Sequence, residues 1–238
     1  MIIVRGAGDL ATGTIYELHK AGYRVLALEC ARPTAIRREV AFSEAVYDGV
    51  NEVEGVTARK ITSVEEVATV WEKGEIPVLI DAEGKSIEAL RPLAVADLIL
   101  AKKNLGTRQD MAPLVIGAGP GFAAGEDVDV VIETMRGYEP GKAIYQGSAL
   151  ENTGIPGMVG GYAKERGDPS PAEGVLRQKH HIGEIVQRGS VIAFVGGRTG
   201  VCDTDGNTAR INPRWIRCEK RNEDCGYRSA TGQAGCML

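Results

Sequence analysis

The chain has 238 residues, of which 43% are hydrophobic and 25% charged, as in an ordinary globular protein of one large or two modest domains. A formal net charge of -4 gives no broad basic surface, which argues against nucleic acid or an anionic membrane as the main partner. The first residues, MIIVRGAGD, lack the charged and apolar regions of a secretory signal, and no apolar run reaches the ~18 residues that cross a bilayer, so a cytoplasmic location is predicted.

The first predicted unit is a strand, a glycine turn and a helix. A β-branched run over residues 2–4 is followed by RGAGDLATG and then by a helical apolar pattern. Gly6, Gly8 and Ala11 satisfy the G-x-G-x-x-G/A pattern. In that pattern the first glycine permits a tight turn, the second lets a phosphate approach the backbone, and the small third residue lets the helix pack closely. The helix amides would then face the anion. The alternative is that these glycines only shape a turn.

The next strand, RVLALE over residues 24–29, supports the nucleotide hypothesis. It places Glu29 after Gly8 at close to the spacing of about 20 residues expected for an acid that binds a ribose hydroxyl. Beyond this strand, Arg37 and Arg38 could neutralise a ligand phosphate or could simply be solvated. The pattern predicts nucleotide or dinucleotide geometry.

Helix and strand patterns then alternate, which predicts a mostly parallel sheet in an α/β fold. Helices are expected over residues 41–49 and 63–74, and Ser63 and Glu66 would open the second with a capping box. The following strand is expected to end at Asp81.

A later strand, within ADLILAKKN, leads to two lysines and an asparagine. Lys102, Lys103 and Asn104 would line the carboxyl edge of the sheet, where such sheets bind ligands. An exposed loop is the alternative for the lysines.

A second glycine cluster, Gly117, Gly119 and Gly121, is not a second nucleotide fingerprint. The residues between it and the next strand, VDVVIET, are too few for the crossover of a dozen or more that parallel strands need. A hairpin or bent loop is therefore predicted. Its amides could still meet an anion, although plain turn chemistry is the alternative.

No sequence motif assigns a catalytic residue. The chain has no hydrolase elbow, no helix-borne zinc motif and no Walker lysine, so enzyme activity is left open. One cysteine, Cys30, stands apart, and four lie near the end of the sequence: Cys202, Cys218, Cys225 and Cys236. Their spacing does not match that of zinc ligands, so no metal site is predicted.

Several stretches together resemble one family, the YqeB-type accessory proteins of the selenium-dependent molybdenum hydroxylase system. They are VRGAGDLATG, PTAIRREVAFSEAVYDG, VEGVTARK, VIGAGPGF and GSALENTGIPG, and the resemblance covers residues 1 to about 195. It implies a maturation or cofactor-handling role beside purine or xanthine hydroxylases that carry a molybdopterin cofactor and labile selenium. The ligand residues that it implies are Gly6, Gly8, Asp9, Thr12 and Gly13 in the first loop, Arg37 and Arg38, and Asn152, Thr153 and Gly154.

The resemblance also implies partners. A molybdenum hydroxylase or its maturation proteins would bind the chain, and homo-oligomerisation is left open. The cofactor is unassigned, with NAD(P) and a molybdopterin-type phosphate as the candidates. Glu29, Lys102, Asn104, Gly117 and Gly119 complete the set of predicted ligand-binding residues. Cys30 could relay sulfur or selenium, although a buried cysteine at a strand end is more often structural.

Residues 170–195 resemble half of a biotinyl-type barrel-sandwich module. Such a half needs a partner half, because its strands otherwise leave open edges. The predicted organisation is a Rossmann-like α/β domain over 1–135, a connecting segment over 136–165, the half barrel over 166–197 and a tail over 198–238.

The tail has no period of two or of 3.6 that could bury a face. A slip of the reading frame near residues 196–199 would explain this. The shifted codon across Trp215 and Ile216 must encode glycine, and the one across Cys218 and Glu219 encodes only valine or alanine, in register with the first barrel half. A frameshifted tail that is disordered or poorly packed is therefore predicted.

Two alternatives to the accessory role are left open. An NAD(P)-dependent oxidoreductase would use the same glycine turn, with Asp81, Asp97 or Lys102 for proton transfer. An inactive product of a frameshifted gene would fold its first domain but not its tail.

Overall fold

In the computed structural model of the chain, the described residues are 1–152, 172–182, 184–187 and 189–201, with the backbone of three further strands over 206–211, 217–218 and 227–230. The chain divides into two compact units. The first comprises Met1–Pro33 and Glu39–Thr153, and the second comprises Thr34–Arg38 and Gly154–Leu238.

A nine-stranded sheet forms the centre of the first unit. The strands of this unit are β1 (Ile2–Arg5), β2 (Val25–Glu29), β3 (Val50–Val53), β4 (Val56–Ile61), β5 (Ile76–Ile80), β6 (Ala94–Asp97), β7 (Val115–Ala118), β8 (Ala123–Ala124), β9 (Val130–Ile132), β10 (Ala143–Ile144) and β11 (Gly147–Ser148). The order in the sheet is β10-β9-β7-β6-β1-β2-β5-β4-β3, while β8 and β11 form a separate ribbon. The inner strands run parallel and the edge strands β3 and β10 pair antiparallel, so the predicted α/β class with a mostly parallel sheet is confirmed.

The inner strands are apolar on both sides because both faces of the sheet are covered. All four residues of β1 are buried, as are the first four of β2. Side chains of successive strand residues point to opposite faces, so full burial requires a layer on each face. The runs IIV and VLAL have this character in the sequence.

Among the described residues, the α-helices are α1 (Asp9–Lys20), α2 (Ala45–Asp48), α3 (Val67–Glu72) and α4 (Ser86–Leu90). Side chains of α1 and α2 belong to one core cluster, and side chains of α3 and α4 belong to another. Each cluster contains alternate residues of β1, so the helices form one layer on each face of the sheet. None of these helices combines the length and apolar character needed to cross a membrane.

The two predicted helices between β2 and β5 are shorter than expected. The second begins with a 3-10 turn (Val64–Glu66) that leads into α3, and Ser63 and Glu66 form the predicted capping box. Oε1 of Glu66 accepts a hydrogen bond from the Ser63 amide at 3.1 Å. The first is reduced to a 3-10 turn (Phe42–Glu44) and the single turn of α2.

Asp81 caps a helix instead of ending a strand. β5 ends one residue earlier, and the Asp81 carboxylate accepts hydrogen bonds from the amides of Lys85 (3.0 Å) and Ser86 (2.8 Å) and from the Ser86 hydroxyl. Burial alone would raise the pKa of Asp81, but these bonds outweigh it and hold the pKa below its ordinary value.

Of the hairpin or bent loop predicted after the second glycine cluster, the hairpin is wrong, and the structure has a bent loop between parallel strands. β7 and β9 pair in parallel, with Ile116 opposite Val130. The crossover, residues 119–129, contains β8 and tight turns but no helix. Phe122 and Val128 of this crossover are buried in the core cluster that includes α3 and α4. The short loop therefore covers the sheet itself, which a crossover helix usually does.

The second unit is built from antiparallel strands. They are β12 (Gly174–Gln178), β13 (Ile185–Val186), β14 (Val191–Val195), β15 (Arg198–Val201), β16 (Gly206–Ile211), β17 (Arg217–Cys218) and β18 (Tyr227–Ala230). The backbone pairs as a four-stranded sheet, β15-β14-β12-β17, and a three-stranded sheet, β13-β16-β18. The barrel-sandwich module stays a prediction, and most of the predicted out-of-frame tail lies outside the described residues.

Candidate functional site

The order of the parallel strands reverses next to β1. Ile2 lies opposite Val25 of β2 on one side and opposite Ala94 of β6 on the other. When β1, β2, β5, β6, β7 and β9 are taken in chain order, their spatial order is third, second, first, fourth, fifth, sixth. Dinucleotide-binding sheets have this order, and their ligand crevice opens at the carboxyl ends of the strands where the order reverses. Here that crevice lies between the loops that follow β1 and β6.

The turn after β1 contains two glycines with different requirements. Gly6 has φ +93, and a Cβ built on it would lie 3.0 Å from both the backbone nitrogen of Ile99 and the backbone oxygen of Leu98. The fold therefore needs glycine at position 6. Gly8 has φ -64, and a Cβ built on it would meet nothing within 4 Å. Neither the backbone nor the packing needs glycine at position 8, and the space beside it is open.

Helix α1 begins at this turn, with Gly8 as its N-cap residue. The Thr12 amide donates the first helical bond to the Gly8 carbonyl at 2.8 Å, so the amides of residues 9–11 point out of the helix. The positive end of the helix dipole favours an anion at this place. Asp9 lies half-buried in the first turn and brings a negative charge to the same place. It therefore stabilises the helix and weakens the attraction for an anionic ligand.

Glu29, the last residue of β2, directs its carboxylate to the glycine turn. Oε2 accepts a hydrogen bond from the Ala7 amide at 2.8 Å, and Oε1 accepts one from the Cys30 amide at 2.7 Å. An ionised carboxylate has about four acceptor sites, so these bonds leave capacity for a ligand hydroxyl. The structure thus brings Glu29 together with the turn that holds Gly6 and Gly8, as the nucleotide hypothesis requires.

Thr12 holds the glycine turn in place through two hydrogen bonds. It is 2% exposed, and its hydroxyl donates to the Ala7 carbonyl (3.2 Å) and accepts from the Phe42 amide (2.9 Å). These bonds fix the glycine turn against the segment that precedes α2. Gly13 is exposed on α1, and a Cβ built on it would meet nothing within 4 Å.

The loop after β6, residues 98–104 and here called the β6 loop, runs beside Gly6. Lys102 is exposed and has φ 62, in the left-handed region. Asn104 is committed to the loop itself: Nδ2 donates to the Thr107 carbonyl (2.8 Å), and Oδ1 accepts from the amides of Gly106 (2.9 Å) and Thr107 (2.8 Å). Lys102 is thus available to a ligand, whereas the Asn104 side chain builds the loop.

Close packing explains the glycines of the second cluster. A Cβ built on Gly117 would lie 2.6 Å from the Phe122 ring. A Cβ on Gly119 would lie 2.9 Å from Oγ1 of Thr134, and one on Gly121 would lie 2.5 Å from Cα of Lys103. These positions need glycine because neighbouring groups occupy the side-chain space.

Glu133 fixes the chain that follows β9. It is 6% exposed, and its carboxylate accepts hydrogen bonds from the amides of Thr134 (2.7 Å), Met135 (2.7 Å) and Leu150 (2.9 Å). Burial would raise the pKa of Glu133, but these amides hold it below its ordinary value. The bond to Leu150 holds the chain at the carboxyl end of β9, two residues before exposed Asn152.

A buried ion pair joins the carboxyl ends of β1 and β6. Arg5 and Asp97 are 1% and 2% exposed, with Nη1 of Arg5 3.3 Å from Oδ2 of Asp97. Arg5 also donates hydrogen bonds to the hydroxyl of Thr107 and to the carbonyls of Ala82 (3.0 Å) and Leu105 (3.3 Å). The Thr107 hydroxyl in turn donates to Asp97. Sequence reasoning missed this network. Its signal is an arginine at the end of the apolar run IIVR, which needs a buried acid as partner.

Cys30 lies beside Glu29 but is a poor nucleophile. Burial, together with the negative charge of Glu29, raises the pKa of the Cys30 thiol to about 11, so the thiol stays protonated near neutral pH. Tyr47 lies in the same neighbourhood and donates to the Pro33 carbonyl at 2.8 Å. Burial and the charges of Cys30, Glu44 and Glu29 raise its pKa to about 12. A relay role for Cys30 would need a change that lowers its pKa.

Not all predicted residues belong to this edge of the first unit. Arg37 and Arg38 belong to the second unit, where Nη2 of Arg38 donates to Oε1 of Gln178 at 3.3 Å. Thr153 and Gly154 lie outside the described residues. Within the described part of the chain, no three His, Cys, Asp or Glu side chains converge on a place that could hold a metal ion.

A curated protein of Escherichia coli (strain K12), described as uncharacterized protein YqeB, is 49% identical to this chain over 196 residues. The match covers 82% of this chain and 36% of that protein, so the chain spans about a third of the relative's length. No protein-family profile matches the chain. No solved structure matches it.

Proposed function

Because this chain belongs to the YqeB-type proteins over 82% of its length, we propose that it is an accessory protein of a selenium-dependent molybdenum hydroxylase. In this role it binds a nucleotide-type or pterin-type phosphate ligand at the glycine turn after β1 and serves maturation or cofactor handling. The family resemblance supports the accessory role, and the geometry of the turn supports ligand binding. The chain spans 36% of the relative, so the activity and partners of the whole protein belong to the proposal.

The open space beside Gly8 carries the proposal of ligand binding. Glycine loses more conformational freedom on folding than any other residue, so a glycine that neither the backbone nor the packing needs is a cost to stability. A ligand phosphate that approaches the backbone needs this space free. The outward amides of α1 and the carboxylate of Glu29 then meet two different groups of the ligand, a phosphate and a hydroxyl.

Replacing Gly8 with alanine is expected to weaken the binding of ADP and of NAD⁺ about tenfold or more, because the added methyl group fills the ligand's space. The free energy of unfolding is expected to change by no more than about 1 kcal/mol, because alanine adopts this φ and its methyl group meets no neighbour. Isothermal titration calorimetry measures the affinity, and thermal unfolding without ligand measures the stability.

Two variants control this experiment. Gly13→Ala is expected to raise the free energy of unfolding by roughly 1 kcal/mol, since Gly13 lies inside α1. If the ligand contacts only the turn, Gly13→Ala leaves the affinity for ADP unchanged. A lower affinity for ADP would show that the site extends along α1, as the resemblance implies. Asp9→Asn is expected to tighten ADP binding by about two- to fivefold at low salt. Equal ADP affinity of the wild type and Gly8→Ala, or no binding of either probe, would contradict the proposal.

Deletion of the gene is expected to lower both the activity and the selenium content of the molybdenum hydroxylase in the same cells. Complementation with the wild-type gene restores both, and complementation with Gly8→Ala restores neither if ligand binding is part of the role. Hydroxylase assays and elemental analysis of the purified hydroxylase measure the two quantities. Normal activity and selenium content in the deletion strain would rule out the accessory role.

The strand order also favours a second candidate, an NAD(P)-dependent oxidoreductase, because dinucleotide-binding sheets have this order. Two of its three candidate proton-transfer groups are already occupied, since Asp81 caps α4 and Asp97 pairs with Arg5. Lys102 is the exposed candidate. Turnover of NAD(P)H with a small substrate would favour the oxidoreductase, and binding without turnover favours the accessory protein.

A shifted reading frame is our proposal for residues 198–238. The alignment with the relative extends over 196 residues, which agrees in length with a similarity that ends near residue 195. The DNA sequence of the source gene from codon 190 onward is expected to contain a one-base slip whose correction yields a second barrel half. An intact frame through codon 238 would refute it, and the inactive-product alternative with it.

A further inference from the structure

The glycine turn after β1 is one end of a continuous row of backbone segments along the carboxyl edge of the sheet. Gly6 lies against Leu98 and Ile99, at the start of the β6 loop. The other end of that loop lies against the second glycine cluster, since a Cβ on Gly121 would collide with the backbone of Lys103. The β6 loop is therefore held between the two glycine turns.

The row continues to β9. The Gly119 amide donates to the carbonyl of Ile132, the last residue of β9, at 2.8 Å. A Cβ on Gly119 would lie 2.9 Å from Oγ1 of Thr134 and 3.3 Å from Cδ2 of Leu100. Thr134 thus stands at the far end of the row, beside the second glycine turn.

The length of this row limits the ligand that can use all of it. β1 and β9 are separated by three strand intervals through β6 and β7. At about 4.8 Å per interval, the two ends of the row lie roughly 14 Å apart. A mononucleotide with its ribose at Glu29 and its phosphate at Gly8 lies on the β2 side of β1, away from Thr134, whereas a second nucleoside joined through a diphosphate can extend along the row.

The chemistry of the row changes along its length. The near end has the N terminus of α1, and the middle carries exposed Lys102 and Lys103 on the β6 loop. Both favour phosphate. No helix N terminus adds its positive charge at the far end, because residues 119–129 contain no helix. A head group without phosphate suits the far end, and a charged diphosphate suits the near end and the middle.

Thr134 offers the far end a specific contact. The residue is half-buried, and among the described residues no hydrogen bond to its hydroxyl is found. A hydroxyl group both donates and accepts, so it can recognise the amide or carbonyl group of a second ring.

We propose that the carboxyl edge binds a dinucleotide, with one ribose at Glu29, the diphosphate at Gly8 and along the β6 loop, and a second, ring-containing head group at Gly119 and Thr134. This inference rests on the proposed function, since it extends the same ligand site, and it assigns Thr134 as a residue that determines ligand specificity.

Titration of the full chain with ADP, ADP-ribose and NAD⁺ tests the inference. NAD⁺ is expected to bind at least about tenfold more tightly than ADP, with ADP-ribose between them, because only NAD⁺ brings a second ring, with its carboxamide, to the far end. Thr134→Val keeps the shape of the side chain and removes the hydroxyl. It is expected to weaken NAD⁺ binding about fivefold while ADP affinity and the unfolding temperature stay unchanged. Thr57→Val, on β4, is the matched control and is expected to change neither affinity.

The outcomes separate the inference from the proposed function. If ADP and NAD⁺ bind equally and Thr134→Val has no effect, the dinucleotide is wrong and nucleotide binding stands. If none of the three probes binds, both are wrong. If Thr134→Val weakens ADP and NAD⁺ alike, Thr134 acts on the fold and not on the second head group, which also overturns the assignment.

Discussion

Replacing Asp97 with alanine is expected to lower the free energy of unfolding by about 3–5 kcal/mol, because it leaves a buried arginine without its charge partner. Arg5 is 1% exposed and cannot reach water without opening the sheet between β1 and β6. The Thr107 hydroxyl also loses its acceptor. Urea unfolding of the wild type and the variant, followed by circular dichroism, measures the difference.

Asp110→Ala is the matched control for this loss. Asp110 pairs with Arg108 at 3.0 Å, but its side chain is 72% exposed. Exposed pairs contribute little, so a loss below about 1 kcal/mol is expected. The double variant Arg5→Met with Asp97→Leu is expected to lose less free energy of unfolding than Asp97→Ala alone, since no charge is then left buried. A loss below about 1 kcal/mol for Asp97→Ala would show that Arg5 finds another partner.

Replacing Gly121 with alanine is expected to lower the free energy of unfolding by about 3 kcal/mol or more. Gly121 has φ +104, which an L side chain rarely adopts, and a Cβ there would lie 2.5 Å from Cα of Lys103. Backbone strain adds about 1–2 kcal/mol and overpacking about 1–3 kcal/mol. The β6 loop must move to make room, so the affinity for NAD⁺ is expected to fall in parallel. Urea unfolding and calorimetric titration measure the two effects.

Gly125→Ala separates backbone strain from collision. Gly125 lies in the same crossover at φ +88, but a Cβ there would meet nothing within 4 Å. Only the backbone term is expected, about 1–2 kcal/mol, with no change in NAD⁺ affinity. If Gly121→Ala and Gly125→Ala lower the free energy of unfolding equally, Gly121 does not lie close to Lys103 in solution.

Local patterns predict the first strand, turn and helix because their signals are contained in one short stretch. RGAGDLATG specifies a glycine turn and a helix start together, and Ser63 with Glu66 specifies a helix start by the same kind of local chemistry. The sequence does not predict that β7 and β9 pair in parallel, because this pairing depends on how the crossover packs on the sheet. Phe122 and Val128 make the crossover a covering layer, and loop length alone does not reveal this.

The site is less predictable than the fold, because contacts between loops decide which polar groups are free. Lys102 and Asn104 are two positions apart, yet Lys102 is exposed while Asn104 is used by the backbone of its own loop. Gly6 and Gly8 differ in the same way, since only Gly6 touches the β6 loop. The partners of Arg5 come from three separate segments, around Ala82, Asp97 and Leu105, so no spacing rule finds them.

The position of β1 between β2 and β6 has a consequence for how the chain is made. β1 leaves the ribosome before β2 and can pair with it soon afterwards, but its other edge stays open until Ala94 and its neighbours emerge. Arg5 likewise waits for Asp97 and Thr107. Until then the nascent chain carries an apolar strand with an unpaired edge and an unneutralised cation, a form that other strands can join. The nascent chain is therefore most exposed to aggregation at the stage just before the site is completed.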